Sequence, residues 1–171
     1  MKQVVLIMLL CILVVLGYGI LHNQITTRIN LEYFTIGHHK IINSTSPTAL
    51  GIAWGFYSNW WIGLSFGVLL SLASRAGNWT KRAAVTLVKP VCLVAVFSAL
   101  AAGVAGFLGY KLTGNGVLGL SVPLSLSIPV SERASYIAAL WMHTASYFAG
   151  VAGSMILVLL VFLRRIRELS T

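Results

Sequence analysis

The sequence predicts an all-α membrane protein, a four-transmembrane-helix bundle with an extended cap over its external end. Four stretches, residues 3–27, 41–74, 90–110 and 134–163, contain no Lys, Arg, Asp or Glu. Each is long enough to cross a hydrocarbon core about 30 Å thick, which takes about 20 helical residues. A helix can cross lipid because its backbone hydrogen bonds are satisfied internally.

The four stretches predict helices at about residues 3–22, 48–74, 88–111 and 134–164, within one membrane domain covering residues 1–171. Mean hydropathy is +0.90. The segments between the helices are too short to form a second hydrophobic core. We therefore expect one compact integral-membrane domain.

The first stretch also has an alternative interpretation as a signal peptide. Residues 4–16 would form its apolar region, and residues 17–19 (Gly-Tyr-Gly) a small-x-small cleavage site. The apolar run continues past this site through Ile20, and Lys2 is the single charge before it. These features favour a retained helix.

The 12 Lys and Arg residues predict the orientation. One side of the predicted helices carries eight of them: Lys2, Arg75, Lys81, Arg82, Lys89, Arg164, Arg165 and Arg167. The other side carries Arg28, Lys40, Lys111 and Arg133. The positive-inside rule places the larger set, and with it both termini, in the cytoplasm. Topology and anionic lipid thus account for the net charge of +9, and nucleic acid is not an expected partner.

Small residues recur every four positions along the second stretch, at Gly51, Gly55, Asn59, Gly63, Gly67 and Ser71. Residues four apart share a helix face, and small residues let helix backbones approach closely in lipid. Packing inside one bundle is favoured over a homodimer seam, because three other helices are available. Similar small faces on the third and fourth helices predict a tight bundle with little internal volume.

Aromatic residues also concentrate within the second stretch, at Trp54, Tyr57, Trp60 and Trp61. Such a cluster can pack the bundle or clasp a flat hydrophobic ligand such as a quinone. Packing is the favoured interpretation.

Both external segments show period-two alternation of apolar and polar residues. From Leu118 to Val130, every even position is apolar. The same alternation runs from Ile25 to Tyr33. This period is typical of extended chain, so we expect both segments to lie extended over the bundle.

The first loop carries a run of polar residues that we take as a candidate functional motif. Its members are His22, Asn23, Gln24, Thr26, Glu32, Tyr33 and Thr35. The run resembles a family of uncharacterised bacterial integral-membrane proteins. In these a helix ends in His-Asp-Gln-(Ile/Val)-Thr, followed by Ile-Ser-Pro-Glu-Tyr-(Phe/Tyr)-Thr. Their next helix often carries Thr-Trp-Trp-x-Gly, which is similar to residues 59–63 here.

The resemblance covers about residues 22–67 and implies a topology and a candidate site, with no reaction attached. We expect a bacterial inner (plasma) membrane location. Asn23 stands where the family pattern has Asp, Asn30-Leu31 where it has Ser-Pro, and Asn59 where it has Thr. Because the loop aspartate is missing, a catalytic acid is not expected there.

His143 is the one ionisable side chain predicted to lie deep in the membrane. Counting about 1.5 Å per residue places it about 15 Å below Arg133, level with Asn59. A polar group in hydrocarbon needs a partner, and such groups face the bundle interior. We therefore predict that His143 hydrogen-bonds Asn59 or Tyr57 on the second helix.

The remaining chemistry is sparse. The chain has no Asp, and its three Glu residues leave no basis for a Ser-His-Asp triad or an EF-hand. The G-x-S-x-G match at residues 63–67 lies within a helix, and Ser65 and His143 differ in depth by about 9 Å. Adjacent His38 and His39 point apart on extended chain. We expect no metal and no cofactor.

These observations favour a non-enzymatic role, as an accessory or assembly subunit of the membrane. Its partners would be membrane lipids and either a membrane-protein partner or a second copy of the chain. The alternative is a membrane enzyme or carrier for a small apolar ligand or a metal, using the loop motif and His143.

Overall fold

The computed structural model describes residues 1–168, and that range contains helices and no strands. The end of the predicted domain, residues 169–171, lies outside the described residues. The helices are α1 (Lys2–Ile29), α2 (Glu32–Thr35), α3 (Pro47–Arg75), α4 (Ala84–Gly114), α5 (Val122–Ser127) and α6 (Arg133–Arg167), with a 3₁₀ turn at Val130–Glu132 before α6.

The first helix runs well past residue 22, where the sequence pattern placed its end. The Thr26 hydroxyl donates to the His22 carbonyl at 3.0 Å, and the Thr27 hydroxyl to the Asn23 carbonyl at 2.8 Å. These polar side chains are satisfied by the helix backbone itself, so the helix continues to Ile29. The beginning of the candidate motif is therefore helical.

The four long helices form two antiparallel pairs, α1 with α3 and α4 with α6. In the first pair, a Cβ added at Gly55 would lie 2.6 Å from the Ile20 Cα, and one added at Gly63 would lie 2.8 Å from the Ile12 Cα. The stripe of small residues on α3 therefore faces α1 inside the bundle. In the second pair, Gly106 lies against the Met142 side chain.

The two pairs meet through one hydrophobic core at each end of the bundle. We call the end of the bundle that contains the start of α6 the histidine end, and the end that contains the last turn of α6 the arginine end. At the histidine end the core residues are Tyr33, Phe34, Leu50, Trp54, Ile128, Tyr136 and Ala139. At the arginine end they are Ile7, Cys11, Phe66, Leu70, Ala73, Leu87, Val91, Leu157 and Val161.

The prediction of an extended cap is wrong. Residues 122–127 form α5, and residues 32–35 form α2. Arg133 donates to the carbonyls of Ser125 and Ile128 at the last turn of α5. Carbonyls at a helix C-terminus lack partners within the helix, so this cation stabilises a helical conformation despite the alternating pattern.

Among the described residues, three helical segments are long and apolar enough to cross a membrane: α1, α4 and the segment Val130–Arg167. Helix α3 is not among them, although it is 29 residues long. Its Asn59, together with several Gly, Ser and Trp residues, lowers its mean hydropathy.

Candidate functional site

Four of the residues singled out from the sequence meet at the histidine end. His22 and Thr26 lie one turn apart on α1, Tyr33 lies on α2, and His143 lies on α6. The His143 Nε2 atom is 3.1 Å from the Thr26 hydroxyl oxygen. The His22 and His143 ring centroids are 4.6 Å apart, edge to face. We call these four residues the histidine site.

The histidine site is almost closed to solvent. His22 is 8 % exposed, His143 6 % and Thr26 0 %. The Thr26 hydroxyl donates to the His22 carbonyl, so His143 donates to Thr26 from Nε2. The Nε2 atom of His22 is buried without a hydrogen-bond partner in the described part of the chain.

Helix α2 covers the site from the end of the bundle. The Tyr33 ring stacks on the His143 ring with centroids 4.8 Å apart. The Tyr33 carbonyl is 2.7 Å from His38 Nδ1. Burial raises the pKa of the Tyr33 phenol, as do the neighbouring Tyr147 and Tyr136, so this phenol stays uncharged to higher pH than an exposed tyrosine would.

Asn30 ties the end of α1 to this cover and to α6. Its Oδ1 atom accepts from the Tyr33 backbone N–H at 2.8 Å, and its Nδ2 atom donates to the Ser135 hydroxyl at 3.0 Å. Asn30 was noticed in the sequence as a departure from the family pattern, but not as a contact. Its role depends on α6, which is distant along the chain.

His143 is buried and hydrogen-bonded, but the predicted partner is wrong. Asn59 donates to the Gly55 carbonyl at 2.9 Å and lies against Gly19 of α1. Tyr57 is 52 % exposed, and its ring lies against Trp54 and His39. The first helix was predicted to end at about residue 22, whereas the observed α1 continues to Ile29 and brings Thr26 to His143.

The remaining motif residues make local contacts outside the histidine site. The Asn23 side chain donates to the Gly19 carbonyl, and Gln24 to the Thr48 carbonyl at 2.9 Å. The Glu32 carbonyl accepts from Ile36 N–H, and the Thr35 hydroxyl donates to the Leu31 carbonyl. Gln24 thus links α1 to the start of α3, and the others bond to groups within about one turn of their own positions. Within residues 1–168 no three His, Cys, Asp or Glu side chains gather closely enough to hold a metal ion.

A groove of about 940 Å³ lies between the two helix pairs, with walls from α1, α3, α4 and α6. The groove is open along one side, so it is a cleft in the surface of the bundle and leaves the prediction of little internal volume untested. The faces of small residues pack inside each helix pair, whereas larger side chains lie between the two pairs.

The lining of the groove changes along its length. Toward the histidine end it is aromatic, with Tyr18, Trp54, Tyr57, Trp60, Trp61 and Tyr147. Toward the arginine end it is largely aliphatic, with Val14, Leu69, Val91, Val94 and Val158 beside the one aromatic ring of Phe66. The Tyr18 hydroxyl and the Ser146 hydroxyl share a hydrogen bond of 2.6 Å on the wall of the groove.

Sequence reasoning missed Tyr18 and Ser146 as site residues. A signal was present, because Tyr18 lies four residues before His22 and Ser146 three residues after His143. Such spacings share a helix face. The signal becomes useful only when α1 and α6 are known to face each other.

Over residues 1–168 the fold is all-helical, with three helices able to cross a membrane, a buried histidine pair and a groove lined partly by aromatic side chains. No protein-family model, curated protein or solved structure matches this chain. The resemblance seen in the loop motif stays a prediction.

Proposed function

We propose that α3 also crosses the membrane, giving a four-span protein of the bacterial inner membrane with both termini in the cytoplasm. At about 1.5 Å per residue, α3 is about 43 Å long, enough to span a bilayer. Its Gly55 and Gly63 lie directly against α1, which is itself a candidate span. The excess of Lys and Arg at the arginine end supports the orientation.

The groove is proposed to bind a small lipophilic molecule with a flat ring and an aliphatic tail. The observation that carries this proposal is the division of the lining into an aromatic half and an aliphatic half. Aromatic faces favour a flat ring, and aliphatic walls favour a hydrocarbon tail. The volume is within the range of about 300–1,000 Å³ typical of ligand sites.

An aromatic half beside an aliphatic half suits a single ligand that has both a ring and a tail. A ligand-binding or carrier role is therefore proposed ahead of the accessory-subunit role.

The test is a titration of the detergent-solubilised protein with decylubiquinone, a benzoquinone carrying a ten-carbon chain. Trp54, Trp60 and Trp61 line the groove, so binding should quench tryptophan fluorescence in a saturable way. Gly150→Leu should weaken this quenching at least tenfold. Gly150 lines the groove, and a Cβ there meets the Ser98 hydroxyl at an ordinary contact distance of 3.4 Å.

Gly103→Leu is the matched control, because an added Cβ at Gly103 meets no atom within 4 Å and Gly103 does not line the groove. Equal quinone affinity in both variants would overturn the proposed function. A copurifying protein that blocks quinone binding would favour the accessory-subunit role instead.

A further inference from the structure

The unpartnered Nε2 atom of His22 is the one feature of the histidine site that its own contacts leave unexplained. His22 is 92 % buried, and this atom has no hydrogen-bond partner among the described residues. The great majority of buried polar side-chain atoms are hydrogen-bonded, so such an atom points to a water, an ion or a ligand group. A metal ion is poorly supported, because no third ligand is at hand.

Neither histidine lines the groove itself, but each lies within about one helical turn of a lining residue on its own helix. Tyr18 lines the groove on α1, and His22 lies one turn further along the same face, about 6 Å away along the axis. Ser146 lines it on α6, and His143 lies three residues before it. The Tyr18 ring centroid is 5.7 Å from that of His22.

The Tyr18–Ser146 hydrogen bond lies between the groove and the histidine pair. Both hydroxyls can change partners without leaving a polar group unsatisfied if a ligand oxygen takes part. An oxygen on the ring of a bound ligand would then lie within reach of Tyr18 on one side and His22 on the other. An apolar ring would leave the His22 nitrogen unsatisfied.

We propose that His22 is the polar recognition residue of the groove, and that its Nε2 atom hydrogen-bonds a carbonyl or hydroxyl oxygen on the ligand ring. This inference rests on the proposed function and narrows it to oxygen-bearing rings. A neutral imidazole can donate to a carbonyl or accept from a hydroxyl, so both the quinone and quinol forms of a ring are compatible.

The test compares two probes that differ in the ring oxygens: decylubiquinone and decylbenzene. In the wild type, decylubiquinone should bind more tightly than decylbenzene. In His22→Leu its affinity should fall about tenfold, the effect of losing one buried hydrogen bond, while decylbenzene affinity should remain within about twofold. Gly103→Leu is again the control, because Gly103 does not line the groove and an added Cβ there meets no atom within 4 Å.

A second measurement does not depend on the variant folding. The infrared carbonyl stretch of decylubiquinone bound to the wild type should lie at lower frequency than in detergent alone, because hydrogen bonding weakens the C=O bond. Equal quinone affinity in wild type and His22→Leu, or an unshifted carbonyl band, would overturn the role of His22 and leave the groove as an apolar site. Failure of both probes to bind the wild type would instead overturn the proposed function itself.

Discussion

Arg165 is the largest completely buried side chain of the described protein, with 0 % exposure. Its guanidinium donates to the carbonyls of Thr80 at 2.7 Å and Ala76 at 2.8 Å, and to the carbonyl of Ala73. These carbonyls lie at the C-terminal end of α3 and in the turn that follows. That is where helix carbonyls lack partners and the helix dipole favours a cation. One side chain of α6 thus holds the end of α3.

We expect Arg165→Met to lower the free energy of unfolding by about 2–4 kcal/mol, because buried carbonyls lose charged donors. Thermal unfolding in detergent measures this. Arg164→Met is the matched control, since Arg164 is exposed and should contribute less than about 1 kcal/mol. Equal stability of the two variants would contradict the structural role of Arg165.

The buried phenol of Tyr33 should make the stability of the histidine end fall as the pH becomes alkaline. Burial raises the pKa of its phenol above the ordinary value near 10. The unfolded chain therefore loses this proton first. The contribution to stability is complete below about pH 10 and falls above it, by at most about 1.4 kcal/mol per pH unit.

The wild type should consequently lose melting temperature faster than Tyr33→Phe between about pH 9.5 and 11. The half-exposed Tyr110 supplies the control variant Tyr110→Phe, whose profile should follow that of the wild type. Parallel profiles for the wild type and Tyr33→Phe would show that this phenol titrates alike in the folded and unfolded chains.

The members of the histidine site could be selected from the sequence, but their arrangement could not. His22, Thr26, Tyr33 and His143 are unusual as polar or ionisable groups in an apolar chain, and hydrocarbon makes such groups conspicuous. Which atoms meet depends on where α1 ends and how the helices rotate. An error of seven residues in the end of α1 was enough to assign the wrong partner to His143.

At the scale of the elements, the α1–α3 contact is the closest approach in the bundle. Three glycines of α3, at positions 55, 63 and 67, each lie within 3 Å of an α1 backbone atom when a Cβ is added. A spacing of four residues predicts such a face. The spacing does not predict which helix packs against this face, because small residues allow any helix to approach closely.

Gly63→Leu should therefore overpack this contact and lower the free energy of unfolding by about 1–3 kcal/mol. The Ile12 backbone lies directly over the site and cannot rotate away as a side chain would. Thermal unfolding of Gly63→Leu beside Gly103→Leu separates this effect from the general effect of leucine in a helix. If the Gly63→Leu protein were as stable as the Gly103→Leu protein, the close contact between α3 and α1 at Gly63 would be contradicted.

The segment around α5 shows why a local pattern misled. Alternating apolar residues with Pro123 and Pro129 are typical of extended chain. A proline also fits the first turn of a helix, and Pro123 occupies that position. Contacts from Arg133, which a local pattern cannot include, favour the helical alternative.

At the scale of the whole molecule, the groove follows from the pairing of helices. The faces of small residues pack within the α1–α3 pair and within the α4–α6 pair. The two pairs contact each other through separate hydrophobic cores at the two ends of the bundle. The space between the cores is lined largely by aromatic and branched side chains. Hydropathy identifies helices, but not this pairing.

The orientation of the molecule is the final prediction. The arginine end holds Arg75, Arg82 and Arg165 together, with Arg82 paired to Glu168. The histidine end has fewer basic residues. Because short loops rich in Lys and Arg stay in the cytoplasm, a reporter fused at Lys40 should be periplasmic and one fused at the C-terminus cytoplasmic.

Fusions in the α3–α4 turn, at Asn78, and before α5, at Gly119, extend the same test to the number of spans. If α3 crosses, Asn78 and the C-terminus report one side while Lys40 and Gly119 report the other. If α3 instead lay along the interface, Lys40 and Asn78 would report the same side. The bundle would then lose the wall that carries Trp54, Trp60 and Trp61. The topology experiment therefore also decides whether the groove faces lipid, as the proposed ligand requires.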